Sequence, residues 1–228
     1  MTEIPGVSIV TANYNYGRFI GETIRSALAQ DHPKIEVIVV DDGSTDNSRE
    51  VIESFGNTIR ALCLPVNGGQ TAAFNAALPL IRHEIVFFLD SDDLLTPDAA
   101  STVAHAWRPG LSKVQWCLSV IDADGRPLDH VFPKYPSRIE PERLRRELLR
   151  VGFYPCPPTS GNAYARSFLQ AIFPFQGPRD AGDVILNLAA PLHGDVLTIR
   201  RPMTSYRRHG SNASGYGVLS FENLKKLL

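Results

Sequence analysis

Two rhythms alternate along the first hundred residues. Short apolar runs at residues 7–11, 35–40, 59–64 and 84–89 have the length and branched composition of strands. Between them, apolar residues recur at helical spacing: Ile20, Ile24, Ala27 and Leu28 share one face, as do Ala73, Phe74, Ala77 and Leu78. Another helix is predicted over residues 48–55. The run at 35–40 is almost continuously apolar, as expected of a parallel strand covered on both faces. This order predicts a layered α/β domain with a largely parallel sheet. Thr96-Pro97-Asp98-Ala99 reads as a further helix start, with Thr96 as cap and Pro97 in the first helical turn.

The second half is less regular. A strand is predicted over residues 113–122, with a turn at Asp124-Gly125 and another extended piece after it. Leu144, Leu148 and Leu149 form an apolar stripe beside Arg143, Arg145, Arg146 and Arg150. Pro155-Cys156-Pro157-Pro158 cannot continue a helix and predicts a turn or extended loop. No linker, repeat or low-complexity tract divides the chain. One domain is expected over residues 1–228, with its second half an elaboration of the first.

Polar clusters close three of the apolar runs: around Asn13, at Asp41-Asp42, and at Asp90-Ser91-Asp92-Asp93. In open α/β sheets ligands collect at the carboxyl ends of strands. A core strand has no structural use for the three carboxylates at 90–93, whereas hard carboxylate oxygens suit Mg²⁺ or Mn²⁺ holding a diphosphate. The competing reading is a solvated turn before a helix, for which aspartate is also well suited. Two glycines in Asn67-Gly68-Gly69-Gln70 precede a helix and would allow close backbone approach to an anionic ligand. The lysine and hydroxyl residue of a P-loop are absent.

The chain has 228 residues, 43% hydrophobic and 21% charged, with a formal net charge of -1. That balance offers no electrostatic argument for nucleic acid. Three widely spaced cysteines fit neither a zinc site nor a disulfide framework and suit a reducing compartment. The start lacks the pattern of a signal peptide and no run approaches a membrane span, so a cytoplasmic protein is expected. The leucine- and lysine-containing segment 221–228 is a candidate for peripheral membrane contact.

Four stretches occur in the order and approximate spacing of glycosyltransferase family 2, and the chain resembles that family. They are Val7-Ser8-Ile9-Val10-Thr11-Ala12-Asn13-Tyr14-Asn15, Val39-Val40-Asp41-Asp42-Gly43-Ser44-Thr45-Asp46, the segment from Asn67-Gly68-Gly69-Gln70 to Asn75, and Asp90-Ser91-Asp92-Asp93. A looser likeness continues at Ser160-Gly161-Asn162, Gly182-Asp183 and Tyr206-Arg207-Arg208-His209. The resemblance implies a GT-A fold: a Rossmann-like α/β/α nucleotide-sugar-binding half (about residues 1–100) contiguous with an acceptor-binding and catalytic-base half (about 101–228). It also implies metal-dependent, inverting transfer of a sugar from a nucleoside diphosphate sugar to a hydroxyl of a saccharide or lipid-linked acceptor. UDP is the commonest donor nucleotide of the family, with GDP and dTDP also used.

Residue by residue, the resemblance assigns backbone contacts to Ala12, stacking on the base to Tyr14 and a hydrogen bond from the base to Asp42. Gly69 and Gln70 fall on the nucleotide side. Asp92 matches the metal-contacting aspartate, and Asp90 the one that reaches the donor ribose or metal-bound water. Asp93 is assigned to the cluster's orientation or to the sugar. His209 is a candidate metal contact, and Arg207 or Arg208 a candidate partner of phosphate. Ser160-Gly161-Asn162 would face donor sugar or acceptor. Asp183 matches the general base, although glycine stands at 182 where the family usually has an acid, which leaves Asp180 as a rival. An ordinary helix cap is the competing reading of Asp183. The alternative functional reading is a nucleotide-sugar-binding or scaffold protein without turnover.

Overall fold

A single nine-stranded sheet runs through the protein, in a computed structural model that describes residues 4–136, 139–174 and 179–210. Four strands form its parallel half: β1 (Val7–Asn13), β2 (Ile35–Asp41), β3 (Arg60–Cys63) and β4 (Ile85–Phe88), in the order β3-β2-β1-β4. The connecting helices are α1 (Gly17–Leu28), α2 (Ser48–Glu53) and α3 (Gln70–Ala77). After the acidic turn come the short β5 (Leu94–Leu95) and α4 (Ala99–Ala106).

The same sheet continues, but its second half is mixed rather than parallel. Here lie β6 (Leu111–Ile121), β7 (Pro127–Phe132), β8 (Asn162–Ala165) and β9 (Asp195–Arg207). β8 pairs antiparallel with both β4 and β6, whereas β6 and β9 are parallel. β9 then pairs antiparallel with β5, which returns the chain to the acidic turn. Helices α5 (Pro141–Val151), α6 (Arg166–Ile172) and α7 (Gly182–His193) complete the second half.

Side-chain alternation along the strands divides the apolar core into two layers. Val7, Ile9, Val37, Val39, Ile85 and Phe87 meet α1, α2 and α4 on one face. Val10, Ile38, Val40, Val86 and Phe88 meet α3, α5, α6 and α7 on the other. The layers confirm the α/β sandwich predicted from the sequence.

Three local expectations change. Helix α4 begins at Ala99, so Thr96 is not its cap. The Thr96 N–H instead donates to Met203 O at 2.9 Å in the β5–β9 connection, and its hydroxyl bonds Asp98. On α5, Leu144 and Leu148 are buried but Leu149 is 68% exposed, because a helix turning 100° per residue carries position 149 away from the core. The sheet is wholly parallel only in its first half; in the second, antiparallel pairs accompany the parallel β6–β9 pair. Among the described residues no helix is long and apolar enough to cross a membrane. The candidate membrane segment 221–228 and the glycine- and serine-rich stretch 211–217 lie outside the described residues.

Candidate active site

The chain turns sharply after β4, and the sheet on either side determines where each acidic side chain goes. Asp90 lines a cavity of about 410 Å³ together with Ser91 and Asp92. Asp93 lies behind it, fully buried, and its Oδ1 accepts the Arg207 backbone N–H at 2.8 Å. Asp93 therefore braces the turn against β9 and does not line the cavity, which fits the orienting role expected of it rather than the donor-binding one. Arg207 is also redirected. It is 2% exposed and donates to Asp92 O at 2.8 Å, Ala123 O at 3.1 Å and Glu22 Oε2 at 2.6 Å. Its guanidinium holds the turn and does not line the cavity.

On the opposite wall, Ala12, Tyr14, Asp42, Gly69 and Gln70 all line the same cavity. Tyr14 is 42% exposed, leaving a ring face available. Asp42 is buried, its two oxygens accepting the Gly68 N–H at 2.9 Å and the Gly69 N–H at 2.7 Å. These bonds fold the loop before α3 over the end of β2. Gly69 has φ +84°, and a Cβ there would lie 2.1 Å from Arg179 Cγ, so only glycine admits the segment that crosses it. Asp41 braces rather than binds: Asn13 Nδ2, the Ser44 N–H and Arg49 Nε all donate to it. Burial alone would raise its pKa, but these hydrogen bonds outweigh burial and hold the carboxyl below its ordinary value.

Asp183 reaches the cavity from the first turn of α7, whose N-cap is Ala181. It is therefore not the cap, although its Oδ1 accepts the Val184 N–H at 2.7 Å. Gln70 joins the two halves here. Its Oε1 accepts the Asp183 N–H at 3.2 Å, and its Nε2 donates to Thr159 Oγ1 at 3.3 Å. Glycine at 182 has a packing reason, since a Cβ there would meet the Phe74 ring at 2.9 Å and Gln70 Oε1 at 3.2 Å. Asp180 also lines the cavity, but its side chain is 73% exposed and lies 4.0 Å from the Arg179 guanidinium.

The carboxylates strain against one another. Burial pushes Asp90 well above its ordinary pKa, and the neighbouring Asp92 and Asp183 push the same way. Burial also raises Asp183 and Asp92, the latter opposed by His209. His209 Nε2 is 2.9 Å from Asp92 Oδ2, and the imidazole stacks on Phe19 with ring centroids 4.7 Å apart. Among the described residues no three His, Cys, Asp or Glu side chains form a complete metal cage. The donor set still fits a hard divalent cation: one carboxylate and one imidazole, with a diphosphate able to supply the remaining oxygens. Mutual repulsion of Asp90, Asp92 and Asp183 is the electrostatic condition a bound cation would relieve.

The sequence reading missed Tyr16, Thr159, Arg179 and Tyr206, all of which line the cavity. Tyr206 stood inside a recognised motif and Tyr16 directly after one, but nothing in their spacing showed which tyrosine turns inward. Thr159 opposes the rise in pKa of both Asp90 and Asp183 through hydrogen bonding. Its neighbours Ser160, Gly161 and Asn162, expected at the sugar, are buried behind the wall. Ser160 Oγ accepts the Asp90 N–H at 3.0 Å, and Asn162 Nδ2 donates to the carbonyls of Pro157, Pro158 and Thr159.

Comparison with known proteins agrees with this arrangement. The profile of Glycosyl transferase family 2 matches residues 8–162. An uncharacterized glycosyltransferase of Nostoc sp. is 34% identical over 90% of this chain and 66% of its own length. The putative teichuronic acid biosynthesis glycosyltransferase TuaG of Bacillus subtilis is 40% identical over 64% of this chain and 59% of its own. Residues 1–349 of Staphylococcus aureus TarS, solved with UDP-GlcNAc, superpose with a TM-score of 0.75 at 22% identity, covering 93% of this chain and 62% of that TarS segment. A Pyrobaculum calidifontis mannosyltransferase solved with GDP-Man and Mn²⁺ superposes with a TM-score of 0.63 at 23% identity, covering 92% of this chain and 59% of that one. The chain thus spans about three-fifths to two-thirds of the length of these relatives. The sheet and helix layers are those of the GT-A fold, and with a family match over most of its length the chain belongs to glycosyl transferase family 2.

Proposed function

We propose that the protein transfers a sugar, with inversion, from a nucleoside diphosphate sugar to an acceptor hydroxyl, and that UDP is the donor nucleotide. The observation that carries this reading is the single cavity faced by Asp90 and Asp92 from the parallel half and by Asp183 from the mixed half. Its volume of about 410 Å³ falls within the usual range for small-ligand sites, roughly 300–1,000 Å³. Donors seen in TarS and the Pyrobaculum mannosyltransferase, UDP-GlcNAc and GDP-Man, support a nucleotide-sugar partner of this class.

In this mechanism Tyr14 lies against the base, the Gly68–Gly69 backbone with Asp42 shapes the nucleotide pocket, and Asp90 reaches the ribose. Asp92 and His209 would hold Mn²⁺ or Mg²⁺, which when bound neutralises charge on the departing diphosphate. Asp183 takes the proton from the acceptor hydroxyl as that oxygen attacks. Its raised pKa makes it a stronger base than an exposed aspartate. Gln70 holds the Asp183 backbone N–H and so sets the base relative to the nucleotide loop. Asp180, more exposed and salt-linked to Arg179, is the weaker candidate.

Calorimetric titration with UDP, GDP and dTDP, each with and without Mn²⁺, tests the donor site on wild type and Asp92→Asn. Manganese-dependent binding of UDP, weakened in the variant, is the expected result. Failure of all three nucleotides to bind folded protein would overturn the reading.

A further inference from the structure

Lys113 enters the sheet near the start of β6 and is wholly buried, 0% exposed. Its ammonium donates to Tyr154 Oη at 3.1 Å and to Asn187 Oδ1. The rings of Tyr154 and Tyr164 lie 5.3 Å and 5.8 Å from Nζ. Asn187 is the hub of the cluster. Its carbonyl accepts the Tyr154 hydroxyl at 2.7 Å, its Oδ1 accepts the Tyr164 hydroxyl at 3.4 Å, and its Nδ2 donates to Pro157 O at 3.2 Å.

Two parts of the candidate active site hang from this hub. Asn187 stands one helical turn after Asp183 on α7, so a tether at Asn187 sets the rotation and height of the turn that carries Asp183. The bond to Pro157 O anchors the loop two residues before Thr159, which lines the cavity with Asp90 and Asp183. Among the described residues no carboxylate hydrogen-bonds the ammonium. An apolar side chain of equal length would fill the same space without the cost of desolvating a charge. The ionisable groups facing Lys113 are Asp183 from α7, Tyr164 from β8, and Tyr154 and Cys156 from the loop.

We propose that Lys113 is a positioning residue for sugar transfer: through Asn187 it holds Asp183 and Thr159 in register, and its charge steadies the Asp183 carboxylate. The proposal rests on the reading of Asp183 as the general base. Burial raises the Asp183 pKa and the Lys113 charge opposes that rise. Removing the charge therefore moves Asp183 protonation to higher pH.

The test compares wild type with Lys113→Met and Lys113→Gln. UDP binding in the presence of Mn²⁺ is expected to stay within about twofold, because Lys113 does not line the cavity. The kcat for transfer from the donor that the wild type uses is expected to fall on the order of 10–100-fold with donor KM unchanged, the scale of a misplaced reacting group. The acid limb of the rate profile should move to higher pH in both variants. Unchanged kcat and an unchanged acid limb would overturn the proposal. A second readout needs no turnover: ¹³C-carboxyl NMR of Asp183, assigned by its loss in Asp183→Asn. A higher titration midpoint in the variants supports the coupling, and an identical midpoint overturns it. If Lys113→Met does not fold, Lys113→Gln keeps hydrogen-bonding groups at the site and gives the same readouts. A wild type that binds no nucleotide would sink the transferase reading by itself, while the NMR midpoints report on the link between Lys113 and Asp183 separately.

Discussion

The parallel and mixed halves of the sheet handle polar groups in opposite ways. In the parallel half, charge stands at strand ends and is satisfied by nearby backbone: Asp41 by the Ser44 N–H, and Asp42 by the Gly68 and Gly69 N–H groups. The interiors of β2 and β4 are apolar over Val37–Val40 and Ile85–Phe88, and the interior of β1 adds only the small hydroxyls of Ser8 and Thr11. In the mixed half, polar side chains lie inside the sheet itself. Lys113, Gln115 and Asn162 are fully buried on β6 and β8, and Lys113 finds partners at Tyr154 and Asn187, far along the chain. The first arrangement places the proposed nucleotide site at the rim of an apolar core. The second places the proposed base on a helix held by a buried polar hub. The comparison teaches that the proposed donor wall rests on loops at the strand ends, and that placement of the proposed base rests on buried packing between elements far apart in the chain.

The sharpest way to break this comparison is at Asp183. Asp183→Asn is expected to lower the transfer rate by about 10²–10⁴-fold with UDP affinity retained, the usual contribution of a general base. Turnover assays alongside calorimetry check it. An equal loss in Asp180→Asn with Asp183→Asn active would move the base to the loop before α7.

A second comparison sets one buried cation against a half-exposed one. Arg207→Met removes a guanidinium that satisfies the carbonyls of Asp92 and Ala123. It should lower stability by about 3 kcal/mol, since the acceptors left behind are shielded from water. Arg49→Met, whose partner Asp41 keeps other donors and whose own side chain is 41% exposed, should cost clearly less. Chemical denaturation of both variants gives the ratio.

Within the nucleotide wall, Tyr14→Ala should weaken UDP binding by roughly 1–3 kcal/mol if its ring stacks on the base. Calorimetry reads this directly. Undiminished affinity would remove Tyr14 from the nucleotide site.

The smallest effect concerns pH. Burial pushes the Lys113 ammonium down to about 7. An unfolded lysine titrates near about 10.4, so between these values the unfolded chain binds more protons and stability rises with pH. The gain is at most about 1.4 kcal/mol per pH unit. The stability difference between wild type and Lys113→Met should therefore shift in favour of wild type from pH 7 to 9, measured by urea unfolding. A difference independent of pH would show that Lys113 keeps an ordinary pKa.

How much was legible in the sequence follows the same division. Runs such as 35–40 and 84–89 announce strands because apolar residues there are contiguous, and β2 and β4 lie where these runs predict them. The acidic turn was legible because Asp90, Asp92 and Asp93 follow an apolar strand without interruption. Which of them face the cavity was not legible. Asp93 turns away because β9, more than a hundred residues later, presents the Arg207 N–H to it. Arg207 looked like a phosphate ligand because a buried arginine and an exposed one are identical in a sequence. Lys113 read only as the start of a strand for the same reason.

By itself, the sequence determined the α/β order, the parallel strands of the first half and the presence of acid at their carboxyl ends. These depend on local periodicity and on turns only a few residues long. Only the tertiary structure decided the mixed second half of the sheet, the withdrawal of Asp93 and Arg207 from the cavity, and the meeting of Asp183 with Asp90 and Asp92. Those outcomes depend on which distant strand or helix supplies the hydrogen-bond partner, and a buried polar group takes its role from that partner.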